Sequence, residues 1–159
     1  MKMKNLAEVH LQIRIAEKEK KKLPKVKQFE KWVLAAMNET SQNKLLTMTI
    51  RIVDEKESAK LNKFYRKKNC ATNVLSFELG SIHIGNKTIL LGDLVICAPV
   101  IFQEAKEQNK ELLSHFAHIT VHGVLHILGF DHKTAKQRKA MESLEIKIME
   151  KLGIANPYG

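Results

Sequence analysis

The chain has little of what would mark a secreted or membrane protein. Its 159 residues include only two cysteines, Cys70 and Cys97, which form no CxxC pair. No disulfide framework is therefore expected, and a reducing cytoplasm is the compartment this usage fits. No apolar run approaches the roughly 20 residues of a membrane span, and polar residues interrupt even Ile119 to Phe130. The N-terminus, 1-MKMKNLAEVHLQIRI-15, alternates polar and apolar residues, whereas a secretory signal needs a continuous apolar core. Internal repeats, Gly/Ser linkers and low-complexity tracts are also missing. These absences leave a mature soluble protein with 44% hydrophobic and 28% charged residues. Its length suits one domain spanning 1–159, large enough to bury a real core.

Acidic residues are scarce relative to basic ones: 17 Asp/Glu against 27 Lys/Arg, a net charge of +10. The imbalance is concentrated. Residues 1–80 hold 18 Lys/Arg against 9 Asp/Glu, and residues 81–159 hold 9 against 8. A basic surface attracts polyanions, of which RNA and DNA are the commonest. A merely solvated surface would have the same composition, so the charge marks a footprint and not a site.

Along the chain, Val9, Leu11, Ile13 and Ile15 alternate with polar residues, predicting a strand over 8–15. The charge run 17-EKEKKKLPKVK-27 reads as a basic loop leading into a helix with Pro24 in its first turn. Val26, Phe29, Val33, Ala36 and Met37 give that helix an apolar stripe. A second strand is 45-LLTMTIRIV-53, and Asp54 with Glu57 reads as a capping box for a helix through Leu61 and Tyr65. After the basic loop 66-RKKNCAT-72 come two strand-forming runs, 74-VLSFEL-79 and 88-TILLGDLVI-96. Gly85-Asn86 is a hairpin turn that would pair Ile82–Ile84 with Lys87–Ile89. Three helices follow, opened by Pro99, by the histidine-rich segment, and by a Thr134/Gln137 capping box. The last buries Met141, Leu144, Ile148 and Leu152 before Gly153 and Pro157 end it. The expectation is an α+β domain with a mixed sheet packed by helices.

The segment 115-HFAHITVHGVLHILGFDH-132 holds five of the seven histidines. From Glu111 to Leu128 it reads as a buried helix, apolar nearly all round. Positions 115, 118, 122 and 126 fall within an arc of about 80°. One buried histidine would be an ordinary hydrogen-bonded core residue, but four on one stripe would each need their own partners. One ion cannot take all four. Neighbours at i and i+4 suit two ligands of a single ion, whereas residues eight apart lie about 12 Å apart along the axis. The pair is therefore His118 with His122 or His122 with His126. Gly129 decides, because it can end the helix and let Asp131-His132 swing back toward the last turn. The result is H122-x3-H126-x5-H132, with His115 and His118 lining the approach or donating from behind. His10 and His83 read as ordinary strand residues. Three protein ligands leave a position open, as catalytic zinc requires, and water held there becomes a nucleophile near neutral pH. An HExxH protease carries its general-base Glu directly after the first histidine, and here that position is Gly123.

At these residues the chain resembles the YbeY family, endoribonucleases of ribosomal RNA maturation. The resemblance rests on 122-HGVLHILGFDH-132, 91-LGDLVIC-97, 61-LNKFYR-66 and 72-TNVLSF-77, in the family's order over roughly residues 45–135. It implies a zincin-like α+β fold with the metal site on a central buried helix and the turn after it. The implied cofactor is one zinc ion per chain, or another divalent transition metal, held by His122, His126 and His132. It also implies cleavage of single-stranded RNA in 16S ribosomal RNA 3′-end maturation and ribosome quality control. The implied partners are a ribosomal RNA precursor, the small ribosomal subunit and ribosome-associated proteins, with no membrane and with the oligomeric state left open. The family's important arginine falls on Arg66, where a guanidinium can clamp a phosphate and offset transition-state charge. Asp131 and Asp93 are candidates to orient ligand imidazoles, and Ser76 to line the site. The family usually carries Asp where this chain has Asn73, and Pro where it has Glu78. Two other readings fit a metal-binding basic protein: a hydrolase of peptides, amides or small molecules, and a non-catalytic ribosomal RNA-binding assembly factor stabilised by its metal.

Overall fold

A computed structural model describes residues 4–159. The alternating segment forms strand β1 (Leu6–Arg14), and 45-LLTMTIRIV-53 lies within β2 (Lys44–Val53). Between them the charge run is a 3-10 helix over Glu17–Lys22 and not a loop, tied by Lys20–Glu17 and Lys22–Glu19 ion pairs. Helix α1 is Val26–Thr40, with Lys25 as its N-cap. Pro24 therefore precedes the helix instead of opening its first turn, and Val26 is exposed while Trp32 joins the buried stripe. Strand β3 (Val74–Ile84) and strand β4 (Lys87–Cys97) form the expected hairpin, with Ile82 opposite Ile89. The sheet order is β1-β2-β4-β3; β1, β2 and β4 run parallel, and β3 is antiparallel at the edge.

Strand alternation divides the sheet into two faces. Leu46, Met48, Ile50, Ile52, Leu94 and Ile96 point toward α1, α4 (Leu112–Ile127) and α5 (Ala135–Lys151), where the main core lies. Val53, Val95 and Cys97 point the other way, in a smaller cluster joined by Leu61 of α2 (Glu55–Arg66). Helix α3 (Ala98–Glu107), with Pro99 in its first turn, connects β4 to α4. As an apolar helix should, α4 lies against the sheet with Phe116, Ala117, Val121, Val124 and Leu125 fully buried. Its fit depends on Gly123. A Cβ built there would come within 2.7 Å of Leu94 Cδ2 and 3.2 Å of Ser76 Oγ, so any larger residue would force the buried Leu94 side chain to shift or the helix to lift from β3 and β4.

Candidate metal centre

The histidine cluster is built by the end of α4. Gly129 takes φ +103°, a conformation that suits glycine, and the Gly129 and Phe130 amides donate back to the His126 and Leu125 carbonyls. The chain reverses there, and Asp131 Oδ1 accepts the His132 amide at 2.8 Å. His132 thus returns to the last turn of α4. The ring centroids are 4.8 Å apart for His122–His126, 4.8 Å for His126–His132 and 5.4 Å for His122–His132. One nitrogen from each ring lies within 4.8 Å of the other two, and His122 Nε2 and His126 Nε2 are 3.2 Å apart. Tetrahedral zinc with bonds of about 2.0–2.1 Å needs ligand nitrogens roughly 3.3 Å apart. The first pair already meets that spacing, so the donor set fits a transition-metal ion. Burial, followed by the neighbouring His122 and His132, pushes the His126 pKa below its ordinary value and favours the neutral, metal-binding form.

These histidines form one wall of a cleft of about 910 Å³, whose other side carries Tyr65, Arg66, Ser76 and Phe77. Arg66 reaches the cleft because α2 ends there. Lys67 takes a left-handed turn, and two buried polar side chains stitch the following loop to the helix. Ser58 Oγ donates to the Thr72 carbonyl and accepts its amide, while Asn62 Nδ2 donates to the Cys70 carbonyl. Ser76 also lines the cleft and donates to the Gly123 carbonyl at 3.1 Å.

The four remaining candidates divide between the far side of the sheet, the turn and the rear of the cluster. Asp93 faces away from α4, beside Thr49, Arg51, Tyr65 and Phe77, because its strand neighbours Gly92 and Leu94 take the α4 side. The sheet separates it from the ligand imidazoles. Asp131 is placed to fix the turn: its carboxylate accepts the His132 amide, which lowers its pKa, and lies 3.7 Å from the His132 ring nitrogen. His118 and His115 point back from the cleft toward carboxylates, His118 Nε2 to Glu145 at 2.5 Å and His115 Nε2 to Glu104 at 2.9 Å. Glu145 escaped the sequence reading. It lies on α5, is 1% exposed, and its second oxygen faces His122 Nδ1 at 3.3 Å. Its signal was present, since it falls four residues after Met141 and three before Ile148, a charge inside the buried stripe.

Asn73, where the family usually has Asp, places Nδ2 at 3.3 and 3.4 Å from the two Glu104 oxygens. An aspartate would set two carboxylates against each other. Asn73→Asp should lower the melting temperature by about 2–4 °C, or about 1 kcal/mol, and Glu104→Gln in the same chain should restore it. An unchanged melt would show that the amide contact carries no such weight.

An α+β fold bearing a three-histidine cluster on a helix and its trailing turn, in a cleft with an arginine, describes a metallohydrolase-like architecture. The family model described as "Endoribonuclease YbeY" matches residues 12–153. The chain belongs to the YbeY family. It is 52% identical over 139 residues to the Endoribonuclease YbeY of Stenotrophomonas maltophilia (strain R551-3), covering 86% of this chain and 85% of that one. The corresponding protein of Colwellia psychrerythraea (strain 34H) is 51% identical over 139 residues, with 86% and 89% covered. The solution structure of TM1509 from Thermotoga maritima shares the fold, with a TM-score of 0.52 and 20% identity over 89% of this chain and 91% of that one.

Proposed function

We propose that this chain is a zinc-dependent, single-strand-specific endoribonuclease of 16S ribosomal RNA 3′-end maturation and ribosome quality control, working in the cytoplasm. The observation that carries the reading is the convergence of His122, His126 and His132 nitrogens in a cleft that also exposes Arg66. A zinc ion bound there would supply Lewis-acid stabilisation of charge on a phosphoryl oxygen. Arg66 would bind and orient the scissile phosphate, with Lys133 on the histidine side adding positive charge. Single-strand preference is supported by an exposed aromatic row beside Arg66. The Phe64 and Tyr65 rings meet edge to face at 4.8 Å, and Tyr65 meets Phe77 at 4.9 Å. Phe64 is 76% exposed, which leaves a face on which an unpaired base could stack. Gly123 argues against peptide hydrolysis, because the position that carries the general-base Glu of an HExxH protease has no side chain here. No helix among the described residues is long and apolar enough to cross a membrane.

The test is cleavage by the purified, zinc-loaded protein of single-stranded against duplex RNA, with the product ends identified. Single-stranded RNA left intact by a protein that still binds ribosomes would replace this reading with that of an assembly factor. RNA affinity should fall steeply with salt, and Arg66→Ala should reduce the salt slope by about 1 while leaving zinc bound. A slope unchanged by that substitution would remove Arg66 from the phosphate contacts.

A further inference from the structure

The Glu145 carboxylate gathers three donors at one buried point. His118 Nε2 and the Tyr158 hydroxyl reach Oε1 at 2.5 and 2.8 Å, and His122 Nδ1 reaches Oε2 at 3.3 Å. With two imidazole nitrogens and a hydroxyl gathered around its oxygens, the carboxylate is the acceptor and each histidine nitrogen facing it donates. For His122 this fixes the tautomer: Nδ1 donates to Glu145, and the Nε2 lone pair is left facing His126 Nε2. The Tyr158 ring also stands edge-on to His118, with centroids 5.3 Å apart. Tyr158 comes from the C-terminal tail, which is tied down where Lys110 Nζ donates to the Pro157 carbonyl at 2.6 Å.

We infer that Glu145 is the positioning residue of the metal centre and that Tyr158 holds Glu145 in place, so that the C-terminal tail sets the affinity of His122 for its ion. This rests on the reading of His122 as a metal ligand. A carboxylate behind a ligand imidazole fixes the ring's orientation and raises its basicity, and losing one costs about 10- to 100-fold in metal affinity. The geometry gives each group a separate task. Glu145 grips His122 directly, and His118 braces the carboxylate from the preceding turn of α4. Tyr158 closes the remaining side, its hydroxyl donating to Oε1.

The experiment measures zinc affinity by chelator competition and the visible absorption of the cobalt(II)-substituted full-length protein, for wild type, Glu145→Gln and Tyr158→Phe. Glu145→Gln should weaken zinc binding by about 10- to 100-fold and shift the cobalt spectrum. Tyr158→Phe keeps the ring, so it should fold normally and weaken zinc severalfold. If Glu145→Gln does not fold, Tyr158→Phe alone decides. Zinc affinity and cobalt spectra unchanged in the folded variants, with only the zinc-free melting temperature lowered, would reduce the cluster to packing and overturn the inference. A folded wild type that binds no zinc would instead overturn the metal reading on which it rests.

Discussion

His126→Ala is expected to abolish tight zinc binding and RNA cleavage together while leaving the fold intact. Losing an outer partner of a metal ligand already costs about 10- to 100-fold in affinity, so losing the ligand itself should cost at least about 100-fold. Cleavage should fall by on the order of 100- to 1000-fold or more, the scale seen when one group stabilising transition-state charge is deleted. The fold should survive because His126 lies at the end of α4, only half-buried, beside two other imidazoles. The zinc-free melting temperature should stay within about 4 °C of wild type. Full cleavage by a folded, zinc-free His126→Ala protein would sink the metal mechanism. The wild type carries a related pH signature. Because the His126 pKa is lowered in the folded chain, the unfolded chain binds that proton first as pH drops below the ordinary value of 6.5. Stability of the zinc-free protein should therefore decline as pH falls below about 7.5 and on through the lowered His126 pKa. Zinc affinity should decline in the same direction, since protons compete for the same nitrogens.

Gly123→Glu should have the largest effect on stability. The new Cβ alone would come within 2.7 Å of Leu94 Cδ2, a side chain that is fully buried in the main core. Overpacking of this kind costs about 1–3 kcal/mol, and an unpartnered carboxylate pressed against the sheet adds several more. A total margin of about 5–15 kcal/mol leaves little after that. The expected result is an insoluble chain, or a melting temperature more than about 10 °C lower by thermal denaturation, with no peptidase activity gained. A well-folded Gly123→Glu protein would show that α4 can lift off the sheet. Gly123→Ala should fall between, because the better helix propensity of Ala, worth about 1 kcal/mol, offsets part of the clash.

Much of the site was legible because its geometry is local. A helix of known pitch puts His122 and His126 one turn apart, and a glycine two residues before Asp131-His132 lets that pair return. The same locality made the α5 capping box and the β3–β4 hairpin readable, since both depend on residues a few positions apart. The carboxylate behind His122 was not readable in that way. Asp131 and Asp93 were the candidates because they lie close to the histidines or within a family motif. The carboxylate facing His122 comes from α5, 23 residues further along, and is held by a tyrosine 13 residues beyond that. Asp93 failed for a simpler reason: a strand sends alternate residues to opposite faces, and its parity puts it across the sheet.

The role of Gly123 changes for the same reason. In the sequence it marks the place where a protease would carry its base. In the fold it is the contact that lets α4 lie on Leu94 and Ser76, and so it sets where His122 and His126 stand above the cleft. By itself the sequence determined the three-histidine cluster, the secondary structure that presents it, and the family. It could do so because these follow from periodicity, turn chemistry and motif spacing within short stretches of chain. Only the tertiary structure decided which carboxylate faces His122, that the C-terminal tail reaches it, and that Asn73 answers Glu104. Those contacts join helices and loops far apart in sequence, and only the packing of α4 between the sheet, α3 and α5 brings them within hydrogen-bond reach.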